Sequence, residues 1–188
     1  TSFGLVLTAD TFRYNLFTGG ATLTNVRLAA KAHEAQPFFT AARVRADLPL
    51  AAYAGSLILD DVAVEGGRVE VLTDADGVSN LPGDDADEEP PATPRTLALR
   101  GLHLDDFTFL YDDRSRPLRI AATGIDAALD HRAIHLFEGI TGPFAVRGGV
   151  DVQLGERALR VDPIDSRLAF DGSTVSMQDL PLSLHLSQ

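Results

Sequence analysis

Two groups of residues in this 188-residue chain have types and spacings that could do chemistry. Asp74-Ala75-Asp76-Gly77 with Asn80 sets oxygen donors around a glycine, as half of a calcium loop does. The glutamate that would close such a loop is missing, because the chain runs on into Leu81-Pro82. The residues favour the other reading, an Asp-Gly turn in which Asn80 bonds local backbone. His131 and His135 stand four apart and could share a metal, with Asp130 or Glu138 as a third ligand. Their surroundings alternate with a period of two, and spacing alone does not make ligands converge, so surface histidines are expected. No serine sits in a G-x-S-x-G elbow, and no glycine-rich phosphate loop precedes a helix. An acid, a base and a nucleophile cannot be assembled from neighbouring positions. No enzymatic activity, metal or cofactor is expected.

The elements that would hold such groups read almost entirely as strands. Phe3, Leu5 and Leu7, then Phe12, Tyr14 and Leu16, recur at every second position, the signature of half-buried strands. After a turn at Thr18-Gly19-Gly20, Ala21 to Leu28 continues the pattern, with Asn25 interrupting it as a bulge would. KAHEAQPFF reads as a loop, Ala42 to Leu48 as a strand, and PLAAYAG as one helical turn closed by Gly55. Val62/Val64 and Val69/Val71 flank Gly66-Gly67, which predicts a hairpin. Residues 83–95, GDDADEEPPATPR, have no apolar partner and read as an exposed acidic, proline-rich loop inside a single domain of residues 1–188. Beyond it Leu97/Leu99, Leu102/Leu104 and Phe107/Phe109/Tyr111 alternate as far as Asp112-Asp113-Arg114. Further strands are predicted at 118–122, 125–129, 133–137, 144–154, 158–161, 168–170 and 175–177, and in the alternation Leu182/Leu184/Leu186. Short turns and almost no helix give an antiparallel all-β fold.

Composition narrows the function. A net charge of -11 argues against nucleic-acid binding, which needs a basic surface. Zero cysteines excludes disulfides and thiolate chemistry, and fits a bacterial cytosol or periplasm equally well. No run approaches the roughly 20 apolar residues that span a bilayer, and TSFGLVLTAD lacks the layout of a signal peptide. Beginning at Thr1 without Met, the chain is expected to be part of a longer protein, with any anchor outside it.

A tetrapeptide of a small or acidic residue, an apolar one, any residue and another apolar one recurs along the chain. It stands at Asn25-Val26-Arg27-Leu28, Asp61-Val62-Ala63-Val64, Gly101-Leu102-His103-Leu104, Asp106-Phe107-Thr108-Phe109 and Asp179-Leu180-Pro181-Leu182. Its recurrence suggests similar strands laid side by side. The order TLTNVRL, then PFFTAARVRADLPL, then GSLILDDVAVEGGRVEVLTDADGVSNLP, over Thr22 to Pro82, resembles the N-terminal repeat of the AsmA-like and TamB-like envelope proteins. Asp76-Gly77-Val78-Ser79-Asn80-Leu81 matches the close of that repeat, and Gly66-Gly67 stands where the family often has Gly-Pro. From Leu97 onward the likeness is only that of β-rich repeats.

That resemblance implies an elongated, curved β-groove (a β-taco) in the periplasm, held to the inner membrane by a segment absent from this chain. Its concave apolar face would conduct phospholipid acyl chains toward the outer membrane. In the TamB branch a part in outer-membrane protein assembly is also implied, with partners met through a C-terminal region this chain lacks. The residues that would contact lipid are Val62, Val64, Val69, Val71, Leu102, Leu104, Phe107, Phe109 and Tyr111. Periodicity alone favours the core of a closed sandwich for this face, and the resemblance favours an open groove. A different class of function stays open beside these: a scaffold that pairs its open edge with strands of outer-membrane proteins.

Overall fold

The computed structural model describes residues 4–47, 57–83, 97–131, 139–170, 174–178 and 184–187. The helical turn predicted in PLAAYAG, the acidic loop beyond Gly83, the strand predicted at 133–137, the motif at Asp179 and His135 lie outside them. Among the described residues thirteen strands join in one open, mixed, curved sheet. They are β1 Leu5–Thr8, β2 Thr11–Tyr14, β3 Gly20–Ala30, β4 Phe39–Asp47, β5 Leu57–Thr73, β6 Leu97–Asp113 and β7 Leu118–His131. There follow β8 Ile140–Val146, β9 Val150–Leu154, β10 Arg157–Val161, β11 Ile164–Phe170, β12 Val175–Gln178 and β13 Leu184–Ser187. The all-β class is therefore as read. Within KAHEAQPFF, expected to be loop throughout, Lys31–His33 forms a 3-10 turn.

β1 and β2 lie end to end along one side of β3, and β4 to β7 follow in order on its other side. Beyond β7 the sheet forks: one branch is β8-β11-β12, the other β9-β10-β13.

Two expectations are corrected here. Gly66-Gly67 is not a hairpin; β5 passes straight through it as a 17-residue strand. Nor is the sheet wholly antiparallel, because β5 and β6 run parallel from Leu57↔Leu97 to Thr73↔Asp113. A parallel neighbour obliges the chain to return the length of a strand, roughly 56 Å here. The segment between Thr73 and Leu97 can reach roughly 75 Å when extended, so it suffices. Runs read as separate strands likewise fuse: 97–113 is one strand and 118–131 another, whereas 144–154 is two, broken at Arg147-Gly148-Gly149.

The fusions share one cause. In β3 to β7 the apolar alternation changes phase once, and the changes lie side by side across the sheet. Asn25 faces Ala42, Ala42 faces Gly66, and Gly66 faces Asp106, each inferred from the flanking pairs. Asn25, Gly66, Asp106 and Gly124 have φ of 49°, 58°, 53° and 61°. Only glycine adopts this left-handed backbone without cost, and Asn and Asp tolerate it best among the others. Asn25 breaks the pattern as predicted, but its partner strand breaks in step, so the β3–β4 register is kept. True register shifts occur only where β6 meets β7.

Burial shows which way the sheet bends at this crease. On one face the flanking residues Val26, Ala41, Val64, Ile125, Val146 and Ile164 are buried. On the other face Asn25, Ala42, Gly66 and Asp106 are exposed. Side chains converge inside a bend and spread outside it, so the apolar face is the concave one.

Candidate functional site

Residues on the concave face form rows running across the strands. Phe12, Leu23, Val44, Val64, Leu104, Ala127 and Phe144 make one row through successive register pairs. On the other side of the crease Leu7, Leu28, Phe39, Val69, Phe109, Ala122, Val150 and Val161 make a second. Gly67 ties the two halves of β5 to one face: a Cβ placed there would point at the Phe107 ring and at Val64 Cγ1, 2.4 and 2.7 Å away. Period-two alternation then carries Val69 and Val71, with their β6 partners Phe109 and Tyr111, onto the side of Val62, Val64, Leu102 and Leu104.

All nine residues read from the sequence thus share one face. Val64 is buried and the other eight are half-buried. The face extends past them, to Leu23, Phe39, Val44, Ile120 and Phe144, and to Leu7 and Phe12 at one edge and Met177 at the other. Apart from Phe39, which reads as the end of the loop KAHEAQPFF, those residues alternate in their own predicted strands. What tied them to the nine was the pairing order, which no local pattern carries.

The concave face is open. Phe12 is 65% exposed and Met177 38%, although each continues an apolar row. Among the described residues the sheet does not close on itself, and its apolar face reaches exposed side chains in β2 and β12. The convex face is polar, with Arg43 paired to Glu65 at 2.7 Å and Arg160 to Asp151 at 2.6 Å. Exposed pairs of this kind contribute little to stability. At the crease Arg147 Nε approaches Asp126 Oδ2 at 2.6 Å, an ionic contact whose N–H is not aligned for a hydrogen bond.

No protein-family model and no curated protein matches this chain.

The Asp74–Asn80 group, first considered for calcium, has structural partners. Asp74 Oδ1 accepts from the backbone N–H of Asp76 and of Val78, both at 2.9 Å, closing an Asp-Gly turn. Asn80 is 2% exposed; its Oδ1 accepts from Leu72 N–H and its Nδ2 donates to Glu70 C=O. The turn reading is the correct one for both. His131 ends β7. Among the described residues no group of three His, Asp or Glu could hold a metal.

A polar turn bounds the groove where β6 ends. Ser115 Oγ–H donates to Asp113 Oδ1 at 2.6 Å, the N–H groups of Ser115 and Arg116 donate to the same oxygen, and Tyr111 O–H reaches Oδ2 at 3.3 Å. The Ser115 hydroxyl, helped by the other donors, holds the Asp113 carboxyl below its ordinary value, against the opposing effect of burial. A carboxylate depressed in the folded state stabilises the fold above its unfolded pKa of about 4, and that stability is lost as pH falls through the folded value. Ser115→Ala is expected to move Asp113 back up and to make acid unfolding begin at higher pH. Denaturation midpoints measured from neutral pH down to about pH 2 check this; an unchanged acid limb would remove Ser115 as the cause.

Proposed function

We propose that the concave face holds the hydrocarbon chains of phospholipids and shields them from water, and that the protein is a non-catalytic module for moving phospholipid between membranes of a bacterial envelope. The observation that carries this is an apolar face continuous across the open sheet of the described residues, reaching exposed side chains in β2 and β12. Each methylene removed from water contributes about 0.8 kcal/mol, so an acyl chain can be held with no polar contact at all. The likeness of Thr22 to Pro82 to the AsmA-like and TamB-like repeat supports the same function, and with it a periplasmic place and an inner-membrane anchor outside this chain.

Lipid mass spectrometry of solvent extracts from the purified protein should find phospholipid, and the emptied protein should take up a fluorescent phospholipid delivered from detergent. Leu104→Asp and Phe109→Asp each place a charge on the face and are expected to lower uptake about tenfold, since a charge is rarely tolerated in an apolar site. Their circular dichroism should stay β-type. Thr108→Asp, on the opposite face of the same strand, should leave uptake unchanged. Neither bound phospholipid nor uptake by the wild type would refute the proposal; equal uptake by all three variants would refute the choice of face.

A second reading is a scaffold that pairs with unfolded outer-membrane strands. It is favoured by β12, whose residues are all exposed and which has no second neighbour among the described residues. Binding of such strands by lipid-free protein would separate it from the first.

A further inference from the structure

The turn joining β2 to β3 presents two large apolar side chains to water: Leu16 is 74% exposed and Phe17 99%. This turn is well built. Asn15 Oδ1 accepts from Phe17 N–H at 2.9 Å and from Thr18 N–H at 3.3 Å, while Gly19 N–H donates to Asn15 C=O at 2.8 Å. Turn tips are ordinarily polar, so a turn tied by its own hydrogen bonds yet tipped with Leu-Phe calls for something apolar outside it.

Charge indicates what that is. The chain carries 27 acidic residues, yet none lies between Thr11 and His33, the longest acid-free run in the sequence; of its cations Arg13 stands on the hairpin, while Arg27 and Lys31 lie toward the far end of β3, and Asp47 of β4 pairs with Gly20 beside the turn. On a protein of net charge -11, a hairpin with no acidic residue of its own and with Arg13 on it can approach a surface of phosphate headgroups. Two side chains on a projecting tip bury far less than the roughly 800 Å² per partner of a stable protein interface. A bilayer asks for no complementary shape, only apolar groups that reach past the headgroups with cationic ones beside them.

We infer that the β2–β3 hairpin docks on a phospholipid bilayer, with Leu16 and Phe17 entering its interfacial layer and Arg13 lying against phosphate. This contact does not depend on lipid filling the groove. Phe12, whose row crosses the concave face, sits on the same hairpin, so the docked tip would bring the open end of that face to the membrane.

The chain has no tryptophan, so Phe17→Trp supplies a single reporter at the tip. With vesicles of mixed phosphatidylcholine and phosphatidylglycerol its emission should shift to the blue and be quenched by brominated acyl chains. Leu16→Ser with Phe17→Ser should lower wild-type vesicle flotation about tenfold or more. Because both side chains are exposed, the double variant should keep its β-type circular dichroism and its uptake of detergent-delivered lipid, which separates loss of docking from failure of the groove. Unshifted emission with vesicles, or equal flotation of wild type and double variant, overturns the inference. So does a blue shift that grows with protein concentration in the absence of vesicles, which would assign the tip to a second copy of the chain.

Discussion

Replacing Asn80 with Ala should cost about 3 kcal/mol, a large share of the stability of a domain this size. The reason lies in where β4 stops. Its last partner on β5 is Val69, held by Phe39, and the next bond on that side is Glu70 N–H to Phe38 C=O. Beyond it, among the described residues, the edge of β5 meets only the isolated bridge from Thr73 to Ser79, and Asn80 takes the place of a strand. Its backbone N–H donates to Leu72 C=O, its side-chain oxygen accepts from Leu72 N–H at 2.8 Å, and its side-chain nitrogen donates to Glu70 C=O at 2.9 Å. Alanine keeps the first bond and orphans a part-buried donor on Leu72 and a part-buried acceptor on Glu70, each worth about 1–3 kcal/mol when left unmade. Asn80→Asp should be no better at neutral pH, because it keeps the acceptor, loses the donor and buries a charge. Urea unfolding of the two variants measures the loss; a change within about 0.5 kcal/mol, as expected of an ordinary surface site, would mean that the Asn80 side chain does not complete β5.

Asn80 was legible in part from the sequence, and the reason is instructive. Asx side chains bonding nearby backbone are a local habit, readable from Asp-Gly-Val-Ser-Asn. That the backbone in question belongs to a strand edge left open by β4 depends on pairing with Phe39, about thirty residues away in sequence, and so was not. The valines of β5 show the same division. Gly66-Gly67 between Val64 and Val69 fits a two-residue hairpin, in which Val64 would oppose Val69 and Val62 would oppose Val71. It fits equally a straight strand whose phase slips at a left-handed glycine. Both put all four valines on one face, so that shared face does not depend on which topology holds. The strands on either side decide between them: β4 pairs across Gly66-Gly67 from Val62 to Val69, and the parallel β6 has its own slip at Asp106 opposite Gly66, a pairing that spans the acidic segment after Gly83. The rest of the concave face was hidden for the same reason. Leu23, Val44 and Phe144 each alternate in their own strand, but membership in a row with Val64 is a property of the sheet order.

The fork in the sheet carries the other large effect: Gly149→Ala should destabilise by about 3 kcal/mol or more and act first on one branch. Gly149 lies where the chain leaves β8 for β9, after Arg147 N–H and Gly148 N–H have donated to Gly124 and Thr123 carbonyls, each at 2.9 Å. Two independent costs meet there. Its φ of +74° is left-handed, which costs an L-residue about 1–2 kcal/mol. A Cβ would also stand 2.4 Å from the Val161 carbonyl oxygen, and since that is backbone, β10 must move to admit it. Val150 pairs with both Ala122 and Val161, so any such movement pulls at the attachment of the β9-β10-β13 branch to β7. Gly155→Ala separates the two costs, because that glycine has φ of +58° with nothing within 4 Å of an added Cβ. It should lose only about 1 kcal/mol. Thermal unfolding of the two variants, with amide exchange followed at Val150–Leu154 and Arg157–Val161, gives the comparison. Faster exchange across those strands in Gly149→Ala alone would locate the damage at the fork. Equal losses in both variants would mean that the backbone conformation accounts for the whole effect and that the approach to Val161 adds nothing.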